Sequence, residues 1–142
     1  MTHAHRVPVQ KYMTSSLLTA DRCESLVSAY HRLSKSGVGQ LPVLDTGKLV
    51  GIVSLNDLAL AEHLPARVFE TLPVGAVMNQ DFYTVTKGES VDVAARVMAK
   101  NKYHAAVVVE CGYAVGVFTT TDALRALSDA LTDSLPGSST AE

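Results

Sequence analysis

The sequence predicts an α/β protein, α+β in type, in which one strand–helix–strand–strand–helix unit is used twice. Three observations lead there. Residues 9–61 lie over residues 74–126 without a gap, at an offset of 65 (74 − 9), the mark of a tandem duplication. The hydrophobic period then switches between strand and helix in the same order in both halves. Finally, 142 residues with 47% hydrophobic and 18% charged content suit one compact unit with a shared core.

Matches at this offset recur along the whole repeat. Val9 falls on Val74, Met13 on Met78, Thr19 on Thr84 and Glu24-Ser25 on Glu89-Ser90. Ala29 meets Ala94, Lys35 meets Lys100, Val43 meets Val108 and Gly47 meets Gly112. Val50-Gly51 meets Val115-Gly116, and Asp57 meets Asp122.

Each half opens with a short extended piece, Leu17-Leu18-Thr19 or Phe82-Tyr83-Thr84-Val85, in residues that suit a strand. An amphipathic helix follows, with Leu26, Ala29, Tyr30 and Leu33 at helical spacing and Val91, Ala94, Ala95 and Met98 as counterparts. Gly37 stands where a helix C-terminal stop belongs. Two apolar runs around a glycine turn then form a hairpin signature, Leu41 to Leu44 with Leu49 to Val53, mirrored by Ala106 to Val109 with Ala114 to Phe118. A last helix is expected after Ser54 and again after Thr119, carrying Leu58 and Leu60, or Leu124 and Leu127. These boundaries make residues 8–61 the first repeat, 62–73 a connector marked by Pro65 and Pro73, 74–128 the second repeat, and 129–142 a polar C-terminal tail, of which 132–142 is expected to fray. A half of about sixty residues is marginal alone, so the two are expected to pack sheet against sheet about a pseudo-twofold axis.

Composition narrows the function. A net charge of −2 argues against nucleic acid as partner, since phosphate binding needs a basic patch. No run of about 18 apolar residues is present, and no apolar stretch follows the N-terminal Met1 to Arg6 as a secretory signal would require. Cys23 and Cys111 form no metal-ligand or CxxC spacing and read as reduced thiols, so a cytoplasmic protein without membrane attachment is expected. His3 and His5 near the terminus carry no motif.

These motifs resemble a pair of CBS domains (cystathionine β-synthase domains), the tandem often called a Bateman module. The resemblance rests on the opening Val-x-x-x-Met of each half and on Ser36-Gly37-Val38-Gly39-Gln40-Leu41-Pro42-Val43-Leu44-Asp45. It rests equally on the endings Gly51-Ile52-Val53-Ser54-Leu55-Asn56-Asp57 and Gly116-Val117-Phe118-Thr119-Thr120-Thr121-Asp122, and it spans residues 8–128. It implies a regulatory, signal-transducing module that binds AMP, ADP, ATP or S-adenosylmethionine in clefts between the domains, requires no cofactor and often dimerises into a flat disk. Carried onto this sequence, it makes Asp57 and Asp122 ribose acceptors and Ser54 and Thr119 phosphate contacts. Adenine falls near Leu18, Thr19, Val38 and Gln40, or Tyr83, Thr84, Tyr103, His104 and Ala105.

The residue chemistry agrees with these roles. An ionised Asp only accepts hydrogen bonds, so it can take both from a cis-diol. A Ser or Thr at a helix start lies beside free backbone N–H groups. The same Ser/Thr-x-x-Asp spacing is also a capping box, so helix capping alone explains the motif and ligand binding is an added role. Neither motif holds a cation, since Leu55-Asn56 and Thr120-Thr121 fill the slots where related sites place one. Charge for phosphates would have to come from Lys102, His104, Arg67 or Lys48, which favours AMP or a less anionic adenosyl compound. His104 against Gly39, and Ala106-Val107 against Leu41-Pro42, make the two sites inequivalent.

No nucleophile–base pair or paired-carboxylate site is evident, so an enzyme is not expected and no metal is implied. Two functions stay open: an adenosyl-ligand sensor acting in trans on an unidentified partner, or a ligand-free dimerisation or docking module. A homodimer is expected in either case. The apolar stripes of Leu26, Tyr30 and Leu33, and of Ala94, Val97 and Met98, would supply surface needing cover.

Overall fold

The computed structural model describes residues 6–15 and 18–134. The first repeat runs β1 (Ala20–Asp21), α1 (Leu26–Ser36), β2 (Gln40–Asp45), β3 (Lys48–Ser54) and α2 (Leu55–Ala61). After a short helix α3 (Ala66–Thr71), the order returns as β4 (Tyr83–Thr86), α4 (Val91–Asn101), β5 (Ala105–Glu110), β6 (Tyr113–Thr119) and α5 (Thr120–Ser134). Each repeat builds a three-stranded mixed sheet, β1-β2-β3 and β4-β5-β6, with the first pair parallel and the second antiparallel.

The same local physics forms both copies. Ser25 caps α1 by accepting from the Ser28 N–H, and Gly37 ends it at φ 77°, a left-handed value that a residue without Cβ adopts freely. Thr46-Gly47 and Cys111-Gly112 turn the two hairpins with positive φ at both residues. Each hairpin carries a register shift at the equivalent place, Val43/Leu44 and Val108/Val109. The first strand lies slightly later than expected, at Ala20–Asp21, because Ala20 pairs with Val43 and buries its side chain against the core. Leu17 falls outside the described residues.

The repeats interlock. The Pro8–Thr14 segment pairs with the second repeat through Pro8–Ser90 and Thr14–Val117, while 73–79 pairs with the first through Pro73–Ser25 and Asn79–Ile52. These bridges exchange at the 65-residue offset (Thr14 to Asn79, Val117 to Ile52), as a pseudo-twofold axis requires. Val9 and Tyr12 accordingly belong to the second repeat's core with Phe118, and Val74 to the first repeat's core with Leu26 and Leu58. The sequence motif Val-x-x-x-Met therefore opens each repeat in the chain but packs on the other repeat in space. A third cluster, Ile52, Ala105, Val107 and Val117, joins the two sheets.

Three features depart from the sequence reading. Leu26, Leu33 and Ala94 are fully buried and Met98 is 4% exposed, so most of the stripes assigned to a dimer face is core, with Tyr30 and Val97 half-buried. The apolar surface lies instead on the last helices, where Leu60, Leu124, Leu127 and Leu131 are 69%, 58%, 52% and 55% exposed. The tail expected from residue 129 is helical to Ser134, because the Ala/Leu-rich run Ala123 to Leu131 propagates α5 without a glycine or proline to stop it. Helix α3 folds back on α1 and sets Phe69 edge-on against Tyr30, their centroids 6.1 Å apart. On the second repeat the matching groove between α4 and α5 stays open, a cavity of about 910 Å³ bordered by Tyr12, Ala95 and Leu127.

Candidate functional site

The strand β3 ends at Ser54, and α2 starts on the next residue. Ser54 Oγ accepts from the Asp57 N–H at 3.0 Å, and the Ser54 N–H donates to Asp57 Oδ2 at 3.2 Å, closing a capping box. Both side chains stand at the end of the first sheet, beside the seam between the repeats. There they line a cavity of about 170 Å³ together with Gln40, Ile52, Asn79, Asp81, Phe82, Lys102, Tyr103, His104 and Ala105. The structure thus joins Ser54, Asp57 and Gln40 of the first repeat to Tyr103, His104 and Ala105 of the second.

Each wall has a defined cause. The helix α4 ends at Lys102, whose φ of 61° turns the chain so that Tyr103, His104 and Ala105 run along the cavity. Tyr103 stacks on Tyr83 at 5.6 Å and donates its hydroxyl hydrogen bond to Asp81 Oδ1 at 3.1 Å. That bond, with desolvation and the carboxylate's charge, raises the Tyr103 phenol above its ordinary value. Asn79 Oδ1 in turn accepts from the Asp81 N–H at 2.9 Å, which fixes the opposite loop.

The second motif behaves differently. Asp122 is 3% exposed; its Oδ2 accepts from both the Thr119 N–H (2.9 Å) and the Thr119 hydroxyl (3.1 Å). Its Oδ1 lies 3.6 Å from Arg125 Nη1. Asp57 is exposed to the cavity, and among the described residues its Oδ1 has no partner. Asp57 therefore has acceptor capacity left for a ligand, whereas most of Asp122's is spent inside the protein.

The remaining sequence candidates sit elsewhere. Leu18 and Val38 pack against the first repeat's core, and the Thr19 carbonyl accepts from Arg32 Nη2 at 2.7 Å. Tyr83 stacks on Tyr103, and Thr84 of β4 pairs with Val107 of β5. Of the four candidate cations, Lys102 and His104 line the cavity, and Arg67 and Lys48 do not. Sequence reasoning missed Ile52, Asn79, Asp81 and Phe82. Asn79 and Asp81 just precede the strand expected from Phe82, and Phe82 is its first residue, so the position beside that strand was the available signal.

Comparison with known proteins decides the family. The CBS domain family model matches twice, at residues 9–63 and 74–129. This chain belongs to the CBS-domain family. Among solved structures, the CBS domain pair of protein MJ0100 in complex with 5′-methylthioadenosine and S-adenosyl-L-methionine is 28% identical, with a TM-score of 0.76 over 88% of this chain and 98% of that one. CBSX2 in complex with AMP is 27% identical, with a TM-score of 0.72 over 87% and 98% of the two chains. A curated relative, the A-adding tRNA nucleotidyltransferase of Aquifex aeolicus, is 30% identical over 89% of this CBS chain, which spans only 15% of that protein. The CBS pair here carries no helix among its described residues long and apolar enough to cross a membrane.

Proposed function

We propose that this CBS pair is a regulatory module that binds an adenosine-containing ligand in the Asp57 cleft and acts on a separate partner protein. The observation that carries this reading is the meeting of Ser54 and Asp57 with Lys102 to Ala105 in one cavity across the two repeats. In it, Asp57 Oδ1 accepts from the ribose hydroxyls, the Tyr103–Ala105 segment borders the base, and Ser54 lies toward the 5′ end. The AMP and S-adenosylmethionine complexes of similar CBS pairs support the ligand class. The Asp122 cleft is the weaker site on this reading, because the ligand would have to compete with Thr119.

Calorimetric titration with AMP, S-adenosylmethionine and 5′-methylthioadenosine tests it. Binding of at least one, weakened about 1–3 kcal/mol by Asp57→Ala, is the expected result, as for a lost hydrogen bond to a charged group. Flat titrations with all three would favour a ligand-free docking module.

The exposed leucines support a homodimer built on the last helices. Burying Leu60, Leu124 and Leu127 against a second copy would take three large apolar side chains, each more than half exposed, out of water. Light scattering at micromolar concentration should give twice the 15.1 kDa of one chain, falling to one chain mass in Leu124→Asp, which would bury an unpaired charge. A wild-type mass of 15.1 kDa would contradict the dimer.

A further inference from the structure

Resting on the adenosyl-ligand reading of the Asp57 cleft, we propose that Lys102 makes this cleft selective for a nucleoside monophosphate, and that its symmetry mate lacks the selectivity. At the 65-residue offset, residues lining the Asp57 cleft have counterparts around Thr119 and Asp122, so the substitutions between the two sets carry the information. At the 65-residue offset, Lys102 stands where the first repeat has Gly37, and His104 where it has Gly39. The same left-handed turn closes both helices, at φ 77° for Gly37 and 61° for Lys102. Glycine takes that conformation freely and lysine at a steric cost, so the fold by itself favours glycine at both places.

The charges of the cleft point the same way. Among the described residues, Lys102 has no ion-pair partner, although Asp57 and Asp81 line the same cavity. Asp57 Oδ2 is held by the Ser54 N–H and Asp81 Oδ1 by the Tyr103 hydroxyl. The Ser54 hydroxyl accepts from the Asp57 N–H, and among the described residues its own proton has no acceptor. The cleft therefore offers one ammonium, from Lys102, and one hydroxyl donor, from Ser54. One phosphate is balanced by that set; a di- or triphosphate would leave charge uncompensated. In the mate cleft, Gly37 and Gly39 bring no side chain, and the Thr119 hydroxyl already donates to Asp122.

A lysine kept only to complement the helix C-terminus would behave differently in one experiment. The full chain is titrated calorimetrically with AMP and with adenosine, at low and at moderate salt. The wild type should bind one AMP per chain about tenfold more tightly than adenosine, with the preference shrinking as salt rises. Lys102→Gly should reduce that preference to less than about threefold while leaving adenosine affinity unchanged, and the melting temperature should hold or rise because glycine suits the turn. Lys102→Arg should retain the preference. Equal affinity for AMP and adenosine in the wild type, an unchanged ratio in Lys102→Gly, or two equivalent AMP sites per chain would each overturn the proposal. Adenosine binding without AMP preference would leave the adenosyl-ligand reading standing. Failure of both compounds to bind would overturn this proposal, and the adenosyl-ligand reading falls with it only where S-adenosylmethionine and 5′-methylthioadenosine fail to bind as well.

Discussion

Phe118→Ala should destabilise the protein by about 3–5 kcal/mol, the range for removing a large aromatic from a packed core. Phe118 is fully buried and heads the large side chains that see no solvent. It lies opposite Ala106 in the β5–β6 ladder and packs with Val9, Tyr12, Ala94 and Met98. Two of those neighbours, Val9 and Tyr12, come from the chain segment that leads into the other repeat. The void would therefore weaken the interlock as well as one sheet. Urea unfolding followed by far-UV circular dichroism should show one transition at a lower midpoint, because neither half holds its core without the other's leading segment. A second, separate transition for the first repeat would contradict the interlocked architecture.

Gly116→Val should cost up to about 3 kcal/mol by overpacking. A Cβ at Gly116 would sit 2.8 Å from Met13 Sδ and 3.0 Å from the Thr14 carbonyl oxygen. The sulfur can swing away, but the carbonyl belongs to the bridge in which Thr14 and Val117 exchange hydrogen bonds of 2.9 and 3.0 Å. Valine's branches would push that bridge open. The matched test is Gly51→Val, where a Cβ meets Met78 Sδ at 2.6 Å and the Asn79 carbonyl at 3.1 Å. Losses of similar size in the two variants are expected from the pseudo-twofold relation. A neutral result at both would mean that the leading segments do not hold the repeats together.

Much of this architecture was legible in the residues. Gly37, Gly47 and Gly112 sit where positive φ is required, and the alternating apolar runs fall on β2, β3, β5 and β6 as periodicity dictates. Pairing across the repeats was not legible. Val9 and Val74 look alike to their neighbours in sequence, and only the long-range bridges Thr14–Val117 and Ile52–Asn79 reveal that each serves the opposite core. Periodicity also marks an apolar stripe without saying which stripe is covered. The sheets took Leu33 and Met98, while Leu124 and Leu127 were left outside.

The candidate site was half legible for the same reason. Ser54 and Asp57 announce themselves by spacing, but that spacing cannot tell a carboxylate that faces a cavity from one that is consumed as a cap. Asp57 and Asp122 occupy equivalent positions in sequence, yet one is exposed and the other is 3% exposed with both oxygens engaged. Part of the difference is local and readable, since Arg125 lies one turn after Asp122 where the first repeat has Leu60, and the burial of Asp122 is tertiary. Asp81 and Phe82 escaped notice because Asp81 carries no motif and Phe82 reads as a strand residue, and only the fold brings both to the cleft.

The most direct measurement is amide chemical-shift mapping of the 15.1 kDa chain as AMP or 5′-methylthioadenosine is added. The central claim is that the ligand sits across the repeats at the Asp57 cleft. It predicts the largest shifts at Ser54 to Asp57, Asn79 to Phe82 and Lys102 to Ala105, three segments far apart in sequence that line one cavity. Shifts concentrated instead around Tyr12, Ala95 and Leu127, in the larger groove between α4 and α5, would contradict it.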